Sequence, residues 1–389
     1  RSEFLKKKET TKQRRELKTV KQSRKPARKR NVAKIICCVV LILAALGSLL
    51  GVLGVKVIYD QQFGRFDRPD PATSAEMQHT ELMERYPLEL VNFPSGPNRL
   101  QGYLYHNPAS PGLVVVVHGL GGGADSYLPQ IIYFLDQGWS VFAYDATGCY
   151  DSEGTATRGF PQALMDLDAA LRFVAGRPEL QGLPVLLFGH SWGGYAVANI
   201  LHLDHKVAGV VSIAGPNSSR EIIMEQGSKM LGPVMSIMRP FIWLYEGLLF
   251  GRYASFTAVE ALNRAAVPAL IIHGTGDTTV DFNGSAIINK RQRIDSPQVQ
   301  FLSLDEENRR GHSNILRSTA ANAYVTKLNA ELKALAEQYG GEIPLEVKRE
   351  FFAQVDKALV HEVNLELMER IHTFFLRCLC LDYPEEIDW

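Results

Sequence analysis

Short apolar runs that do not alternate with polar residues are the feature that most limits how this chain can fold. Five of them, rich in Val, Ile and Leu, cover residues 113–117, 140–144, 184–188, 207–213 and 269–272. Strands that are buried on both faces have this pattern. Amphipathic stretches lie between these runs, at residues 127–136, 160–174 and 194–203. Repeated strand–helix alternation predicts an α/β fold, with a mostly parallel central sheet and helices on both of its faces.

Three further segments frame this pattern. Residues 88–93 and 100–105 alternate apolar and polar positions around a Pro-Ser-Gly-Pro-Asn sequence, which predicts a hairpin ahead of the parallel strands. Residues 216–262 are rich in Met, Trp, Phe and Pro and carry no clear strand pattern, so a small helical insertion is predicted there. From about residue 313 to about residue 380 the chain is predicted to be helical.

Residues 35–55 form a run of 21 residues without a charge, bracketed by Lys34 and Lys56. As a helix this run is about 31 Å long, close to the roughly 30 Å hydrocarbon thickness of a bilayer. A cleaved signal peptide would have a shorter apolar region of about 7–15 residues followed by a cleavage site. A retained transmembrane signal anchor over residues 35–56 is therefore favoured, with Gly47 and Gly51 as a possible small-residue helix contact.

The charges of the chain are divided unevenly around this run. Residues 1–34 carry 15 Lys and Arg against 3 Asp and Glu, whereas the rest of the chain carries 27 against 39. A basic flank faces the cytoplasm, so residues 1–34 are predicted to be a cytoplasmic tail and the acidic part to lie outside the cytoplasm. With few apolar residues, this tail is expected to be disordered. Nucleic-acid binding is the competing interpretation of such a tail, and the adjacent span argues against it.

Composition excludes several classes of protein. With 46% hydrophobic and 22% charged residues, the chain is neither wholly disordered nor collagen-like, and its mean hydropathy of −0.07 excludes a polytopic membrane protein. The five cysteines do not suggest a disulfide framework or a zinc site, and Cys378 and Cys380 are too close for a comfortable bridge. The predicted organisation continues with a linker at 57–85, an α/β domain at 86–324 and a C-terminal helical extension at 325–389.

A Gly-His-Ser-Trp-Gly-Gly sequence at residues 189–194 directly follows one of the buried runs and opens a helical stretch. The pattern G-x-S-x-G is weak by itself, but between a buried strand and a helix it predicts a tight turn that exposes a serine hydroxyl at the sheet edge. Ser191 is therefore the candidate nucleophile. An ordinary glycine-rich turn is the alternative.

A serine nucleophile needs a base, and the base needs an orienting carboxylate. His312 follows the last predicted strand, at residues 299–304, and is the candidate base. Asp277 follows the run at 269–272 and is the candidate orienting carboxylate, with Asp281 as its main competitor and Asp145 as a weaker one. The order Ser, Asp, His along the chain is typical of one fold type.

The sequence His-Gly-Leu-Gly-Gly-Gly at residues 118–123 directly follows the strand at 113–117. Its glycines would let backbone N–H groups face a developing oxyanion, with the amides of Leu120 and Trp192 as the predicted pair. His118 is expected to be structural in the turn. Phosphate binding is the alternative, but the Lys-Ser/Thr ending and the G-x-G-x-x-G pattern are both missing.

These motifs, in this order, resemble the α/β-hydrolase fold superfamily over about residues 86–320. Within it, the chain looks like the serine-hydrolase branch of monoglyceride-lipase-like esterases and serine aminopeptidase-like proteins. The segment at 145–154 resembles that branch's loop, usually richer in Arg and Gly, with Cys149 in this chain. The resemblance implies a small lid after the sixth strand, matching residues 216–262.

The expected function is a membrane-anchored serine hydrolase that cleaves carboxylic esters of a small or lipid-like acyl substrate, without a metal or organic cofactor and without nucleic acid. An apolar acyl chain would suit the lid residues, although packing of the lid onto the core explains them equally well: Met224, Met230, Met235, Met238, Phe241 and Trp243. A serine peptidase, an acyltransferase and a non-catalytic binding module on the same fold are the alternatives.

Overall fold

Eight strands form one sheet in the order β1-β2-β4-β3-β5-β6-β7-β8. The strands are β1 (Glu89–Ser95), β2 (Asn98–Tyr105), β3 (Leu113–Val117), β4 (Ser140–Tyr144), β5 (Val185–His190), β6 (Gly209–Ile213), β7 (Ala269–Gly274) and β8 (Val299–Leu304). Strand β2 pairs antiparallel with β1 and β4, and every pairing from β4 across to β8 is parallel. The predicted hairpin and the predicted mostly parallel sheet are both confirmed.

This computed structural model describes residues 2–379, with side chains at 9–18, 31–32 and 34–379; Arg1 and residues 380–389, Cys380 among them, lie outside the described part. The helices are α1 (Ser2–Gln62), α2 (Leu128–Asp136), α3 (Phe160–Ala175), α4 (Trp192–Asn199), α5 (Ser219–Leu231), α6 (Val234–Phe250), α7 (Ala258–Arg264), α8 (Thr319–Gln338), α9 (Leu345–Ala353), α10 (Lys357–Val360) and α11 (Leu365–Cys378).

The chain divides into two compact units, residues 1–56 and residues 57–389. The first unit contains most of α1, which continues to Gln62 in the second. The stretch Lys34–Gln62 includes 18 residues with a mean hydropathy of 2.9 and is long and apolar enough to cross a membrane. The expectation of a disordered tail differs from the structure, in which α1 begins at Ser2. Lys, Arg, Gln and Glu are good helix formers, so a basic segment can extend a helix without packing against anything.

Helices cover both faces of the sheet in the second unit. Every residue of β3, β4 and β6 is buried, as their apolar composition predicts. One face packs on α2 and α11, where Phe134 and Phe375 belong to the same apolar core as Val114 and Phe188. Helices α3 and α4 pack together against the other side, and α4 also contacts β5 and β6. The last described helix is thus part of the central core.

The segment at 216–262 contains α5, α6 and α7. Ser218 caps α5 by accepting a hydrogen bond from the Glu221 N–H. Helices α5 and α6 pack so closely at Gly227 that a Cβ added there would lie 2.2 Å from the Met235 side chain. The insertion is helical as predicted, and α5 with α6 is called the lid below.

The polar segment after α1 packs on the loop that follows β4. Arg65 donates to the carbonyls of Ser152 at 3.0 Å and Gly154 at 2.9 Å, and also to that of Tyr150. Arg68 pairs with Asp151 of this loop at 2.6 Å. Two arginines from the predicted linker therefore supply cations to this loop.

Candidate active site

Ser191 lies at the sharp turn between β5 and α4. Its backbone has φ 57° and ψ −113°, in the left-handed region, which costs a non-glycine residue about 1–3 kcal/mol. The Ser191 N–H donates to the Ile213 carbonyl of β6 at 2.8 Å, which holds the turn against the sheet. A strained turn thus presents the hydroxyl at the carboxyl end of the strands.

The glycines on either side of Ser191 are required by close approach of the backbone. A Cβ on Gly193 would lie 2.0 Å from the Val117 carbonyl oxygen, and one on Gly189 would lie 2.4 Å from the Gly193 carbonyl oxygen. Both distances are far below van der Waals contact. The pattern G-x-S-x-G is therefore explained by how tightly α4 begins against β3 and β5.

His312 and Asp277 reach Ser191 from the loops after β8 and β7. His312 Nε2 lies 2.8 Å from Ser191 Oγ, and His312 Nδ1 lies 2.7 Å from Asp277 Oδ2. The Gly276 N–H donates to the Arg310 carbonyl at 2.9 Å and so joins the two loops. Residues separated by 121 positions along the chain are thereby brought into one hydrogen-bonded line.

Asp277 is surrounded by donors. Its Oδ1 accepts from the N–H groups of Thr279 at 2.8 Å and Val280 at 3.0 Å, and His273 Nε2 lies 3.1 Å from its Oδ2. Burial alone would raise the pKa of Asp277, but hydrogen bonds from His273 and His312 outweigh it and hold the pKa well below its ordinary value. The side chain is thus an ionised carboxylate at neutral pH, suited to accept the Nδ1–H of His312.

The two competing carboxylates are placed elsewhere. Asp281 Oδ1 accepts from the Asn283 N–H at 2.9 Å. Asp145 is fully buried and bonds to the Ala124 N–H at 2.8 Å and the Tyr103 hydroxyl at 2.9 Å. These partners place Asp145 in a separate buried network away from His312. Burial raises the pKa of Asp145 to about 7.

The glycine-rich loop after β3 begins beside the serine. A Cβ on Gly119 would lie 3.4 Å from the Ser191 Cβ. Trp192 opens α4, so its N–H has no acceptor within the helix. Within the described part of the chain the Leu120 N–H donates to no acceptor either. Both predicted oxyanion amides therefore keep an unused donor.

His118 fixes the start of this loop, as expected of a structural residue. Its Nε2 accepts from the Ala146 N–H at 2.9 Å, so its Nδ1–H donates to the Gly119 carbonyl at 2.7 Å. Burial lowers the pKa of His118 to about 4, which keeps the ring neutral and able to accept. The ring thereby ties the loop to the segment after β4.

A second chain of hydrogen bonds runs behind the serine. His190 Nε2 lies 2.9 Å from the His312 carbonyl oxygen, and His190 Nδ1 lies 2.6 Å from the Tyr127 hydroxyl. The Gly119 N–H donates to that same hydroxyl at 3.0 Å. Tyr127 and His190 thus join the glycine-rich loop to the backbone of the histidine loop.

The direction of each bond in this chain follows from the acceptors. The His312 carbonyl can only accept, so His190 Nε2 carries the proton. Burial, followed by the charge that a protonated His312 would carry, lowers the pKa of His190 to about 3. A neutral ring leaves Nδ1 as an acceptor, so the Tyr127 hydroxyl donates to it.

Sequence reasoning did not identify three members of this arrangement: the rings of His190 and His273 and the hydroxyl of Tyr127. The sequence does carry a sign of the two histidines, because each is a polar residue near the carboxyl end of an otherwise apolar buried strand. Tyr127 ends a short 3₁₀ turn before α2 and belongs to no recognisable pattern.

The lid residues suggested for acyl binding have different surroundings. Met235 is buried against α5, whereas Met230 is 65% and Trp243 38% exposed. They therefore do not form one pocket lining. Among the described residues, no group of three His, Cys, Asp or Glu side chains could hold a metal ion.

Comparison with known proteins gives partial matches. A family model described as serine aminopeptidase, S33, matches residues 108–252. A lysophosphatidylserine lipase, ABHD12, of Danio rerio is 23% identical over 214 residues, which are 53% of this chain and 55% of that protein. A proline iminopeptidase of Saccharolobus solfataricus is 25% identical over 182 residues, which are 44% of this chain and 56% of that protein.

A polyketide transferase of Aspergillus fumigatus is 27% identical over 129 residues, which are 32% of this chain and 44% of that protein. The chain thus spans about half the length of the curated relatives it matches. A solved esterase of Pyrococcus furiosus aligns with a TM-score of 0.49 and 16% identity, covering 71% of this chain and 98% of its own. With its eight-stranded, mostly parallel sheet and the family match over residues 108–252, the chain has the α/β-hydrolase fold.

Proposed function

We propose that this protein is a serine hydrolase that cleaves carboxylic esters through an acyl-enzyme intermediate. The observation that carries the proposal is the hydrogen-bonded line of Ser191, His312 and Asp277, with distances of 2.8 and 2.7 Å. Nucleophile, base and orienting carboxylate stand within hydrogen-bond reach of each other, as this chemistry requires.

In the acylation step, Ser191 Oγ attacks the ester carbonyl carbon while its proton passes to His312 Nε2. Asp277 stays ionised and stabilises the imidazolium that forms. The negative charge on the former carbonyl oxygen is stabilised by the N–H groups of Leu120 and Trp192. Each such donor typically contributes about 3–4 kcal/mol to lowering the barrier.

The tetrahedral intermediate collapses when His312 gives its proton to the departing alkoxide oxygen. Water then attacks the acyl-Ser191 carbonyl while His312 takes a proton from it. The bond to Ser191 breaks as His312 returns that proton to Ser191 Oγ, and the carboxylic acid leaves. No step requires a metal or an organic cofactor.

We further propose that residues 35–55 anchor the protein in a membrane, with residues 1–34 in the cytoplasm and the hydrolase domain outside it. Support comes from the apolar helical stretch Lys34–Gln62 and from the 15 Lys and Arg against 3 Asp and Glu in residues 1–34. Protease added to intact cells should remove the hydrolase domain. Full protection of that domain would reverse the proposed orientation.

A fluorophosphonate probe tests the chemistry. We expect the full-length protein to be labelled, and the label to disappear in Ser191→Ala but to persist in Ser313→Ala, a matched change beside His312. Labelling that survives in Ser191→Ala would contradict the proposal. Complete inertness of a folded wild-type protein would instead support a non-catalytic module.

Peptide hydrolysis is the second candidate, because the matching family model is of serine aminopeptidase type and one relative is a proline iminopeptidase. A chain-length series of p-nitrophenyl esters should be compared with aminoacyl-arylamides. The ester proposal predicts higher kcat/KM for the esters and an optimum in acyl length. Preference for the arylamides would replace the ester assignment.

A further inference from the structure

A small cavity of about 190 Å³ lies beside the loop that carries His312. Its walls come from the start of α2, the loop after β8 and the end of α10, which contribute Gln130, Arg317 and His361. Pockets that take drug-sized ligands are larger, about 300–1,000 Å³. The cavity therefore suits one small chemical group rather than a whole lipid.

Arg317 is half-buried in the wall of this cavity. Within the described part of the chain, its guanidinium has neither a hydrogen-bond acceptor nor an ion-pair partner. A guanidinium carries five N–H donors and a permanent charge, so withdrawing it from water without an acceptor is costly. Burial lowers the pKa of Arg317, which reflects this cost. Arg309 of the same loop shows the usual arrangement, because it donates to Glu306 at 2.9 Å and to Asn364 at 2.7 Å.

Gln130 supplies a second unused donor to the cavity. The residue is only 4% exposed, and among the described residues its side-chain amide has no hydrogen-bond partner. Buried amides in folded proteins are normally hydrogen-bonded, so an unpartnered one requires an explanation. Because Gln130 and Arg317 line the same cavity, one group with several oxygen atoms would satisfy both side chains.

The cavity also contains a carboxylate, but that group already has partners. Glu76 accepts hydrogen bonds from the hydroxyls of Ser126 at 3.3 Å and Tyr150 at 3.0 Å. Burial raises the pKa of Glu76, which favours its neutral form. No ion pair joins Glu76 to Arg317 in the part of the chain that the structure describes. The group that still requires a partner is thus the Arg317 cation, and the cavity favours an anion.

Phosphate and carboxylate groups fit these donors. The planar guanidinium of arginine forms paired hydrogen bonds to two oxygen atoms of such a group, and these charge-assisted bonds are about twice as strong as neutral ones. The amide NH₂ of Gln130 can donate to the same oxygen atoms. Both anions are small enough to match the size argument.

The same cavity borders the hydrogen bonds that position the candidate active site. Tyr127 and His190 line it, and these two residues connect the Gly119 N–H to the His312 carbonyl. An anion bound in the cavity would therefore contact the residues that hold the proposed base in place.

We propose that this cavity is an anion-binding site, in which Arg317 and Gln130 hold a phosphate or carboxylate group beside the loop of His312. The anion is either carried by the ester substrate, away from the reacting carbonyl, or free in solution; the contacts are the same for both. The binding itself is independent of the proposed function, whereas its effect on ester hydrolysis rests on that function.

Calorimetric titration of the purified full-length protein with inorganic phosphate tests the site, with chloride at the same ionic strength as the reference. We expect saturable binding, and we expect Arg317→Gln to raise the Kd at least about tenfold and Gln130→Leu at least about threefold. The matched control is Arg370→Gln, which changes a half-buried arginine that already pairs with Glu366 at 3.1 Å. Its Kd should stay within about twofold of the wild type. A parallel titration with acetate tests the carboxylate form.

Two soluble esters with the same acyl group distinguish the sources of the anion. One has glycerol phosphate as its alcohol and the other has glycerol. If the substrate carries the anion, Arg317→Gln should raise KM for the phosphate-bearing ester at least about tenfold and leave KM for the neutral ester unchanged. If the anion is free, added phosphate should change kcat of the wild type on the neutral ester and have no effect on Arg317→Gln.

Separate outcomes overturn the inference and the proposed function. A wild-type protein that fluorophosphonate labels, and that is therefore folded, but that binds neither phosphate nor acetate saturably would overturn the anion site. An equal Kd in the wild type and in Arg317→Gln would also overturn it, because the ion would then bind elsewhere. Binding of phosphate that depends on Arg317, in a protein inert to fluorophosphonate, would instead overturn the proposed function and support the anion site.

Discussion

Gly193→Ala is the most informative single change, because Gly193 lies where α4 begins against the end of β3. The added Cβ would lie 2.0 Å from the Val117 carbonyl oxygen and 3.0 Å from the His118 carbonyl oxygen. A carbon and a carbonyl oxygen need roughly 3.3 Å. The start of α4 and the glycine-rich loop must therefore separate by about 1.3 Å.

Such a separation acts on the proposed site directly, since Trp192 and Leu120 stand on the two sides of it. A displacement of about 1 Å in a catalytic site can cost on the order of 10²-fold in rate. Overpacking costs about 1–3 kcal/mol of folding free energy. We therefore expect kcat on a soluble ester to fall by about 10²-fold, with a folded protein and a lowered Tm.

Steady-state kinetics and thermal unfolding of the purified protein provide the measurement. Gly247→Ala is the matched control, because a Cβ at that helical position meets nothing within 4 Å. That variant should keep its activity and gain about 0.5–1 kcal/mol from the better helix former. If Gly193→Ala kept kcat within about threefold, the close approach would have no bearing on the site.

Three further predictions concern the hydrogen bonds around the serine. Asp277→Asn should lower kcat by about 10³–10⁴-fold because the amide fails to hold the required tautomer of His312. The control Asp281→Asn should keep kcat within about twofold of the wild type. Equal losses of kcat in the two variants, measured in steady-state assays, would refute the assignment of Asp277. Tyr127→Phe removes the hydroxyl between Gly119 and His190, so kcat should fall about tenfold with little change in KM, and a change confined to KM would contradict this positioning role. The pKa of Asp145 is about 7 in the folded protein and near 3.8 in the unfolded chain, so the folded state holds an extra proton between these values and its stability should fall as pH rises from about 4 to 7. Asp145→Asn should remove this slope, on the order of 4 kcal/mol in total, from denaturant unfolding curves recorded across that range; an unchanged slope would refute it.

Much of the sheet could be predicted from the sequence, because a strand buried on both faces carries apolar residues at every position. The run at 113–117 coincides with β3, and the run at 140–144 coincides with β4. The predicted ends of strands were less accurate where a strand continues past its apolar run. Strand β5 continues through His190, beyond the run at 184–188, and β7 continues through Gly274, beyond the run at 269–272.

The candidate nucleophile, base and carboxylate could be chosen from motifs, but their surroundings could not. Asp277, Asp281 and Asp145 all follow predicted strands, and only the folded loops distinguish which one contacts His312. The bond from His190 to the His312 carbonyl joins residues 122 positions apart, so no local pattern indicates it.

The position of α11 has a consequence for how the protein is made. Its Ile371, Phe374 and Phe375 complete the apolar layer next to Phe134 and Trp139. A nascent chain that has already exposed β1 to β8 still lacks that layer until about residue 375 has left the ribosome. Chains truncated before α11 would leave the apolar residues on this face of the sheet exposed to water, and cellular proteases should degrade them.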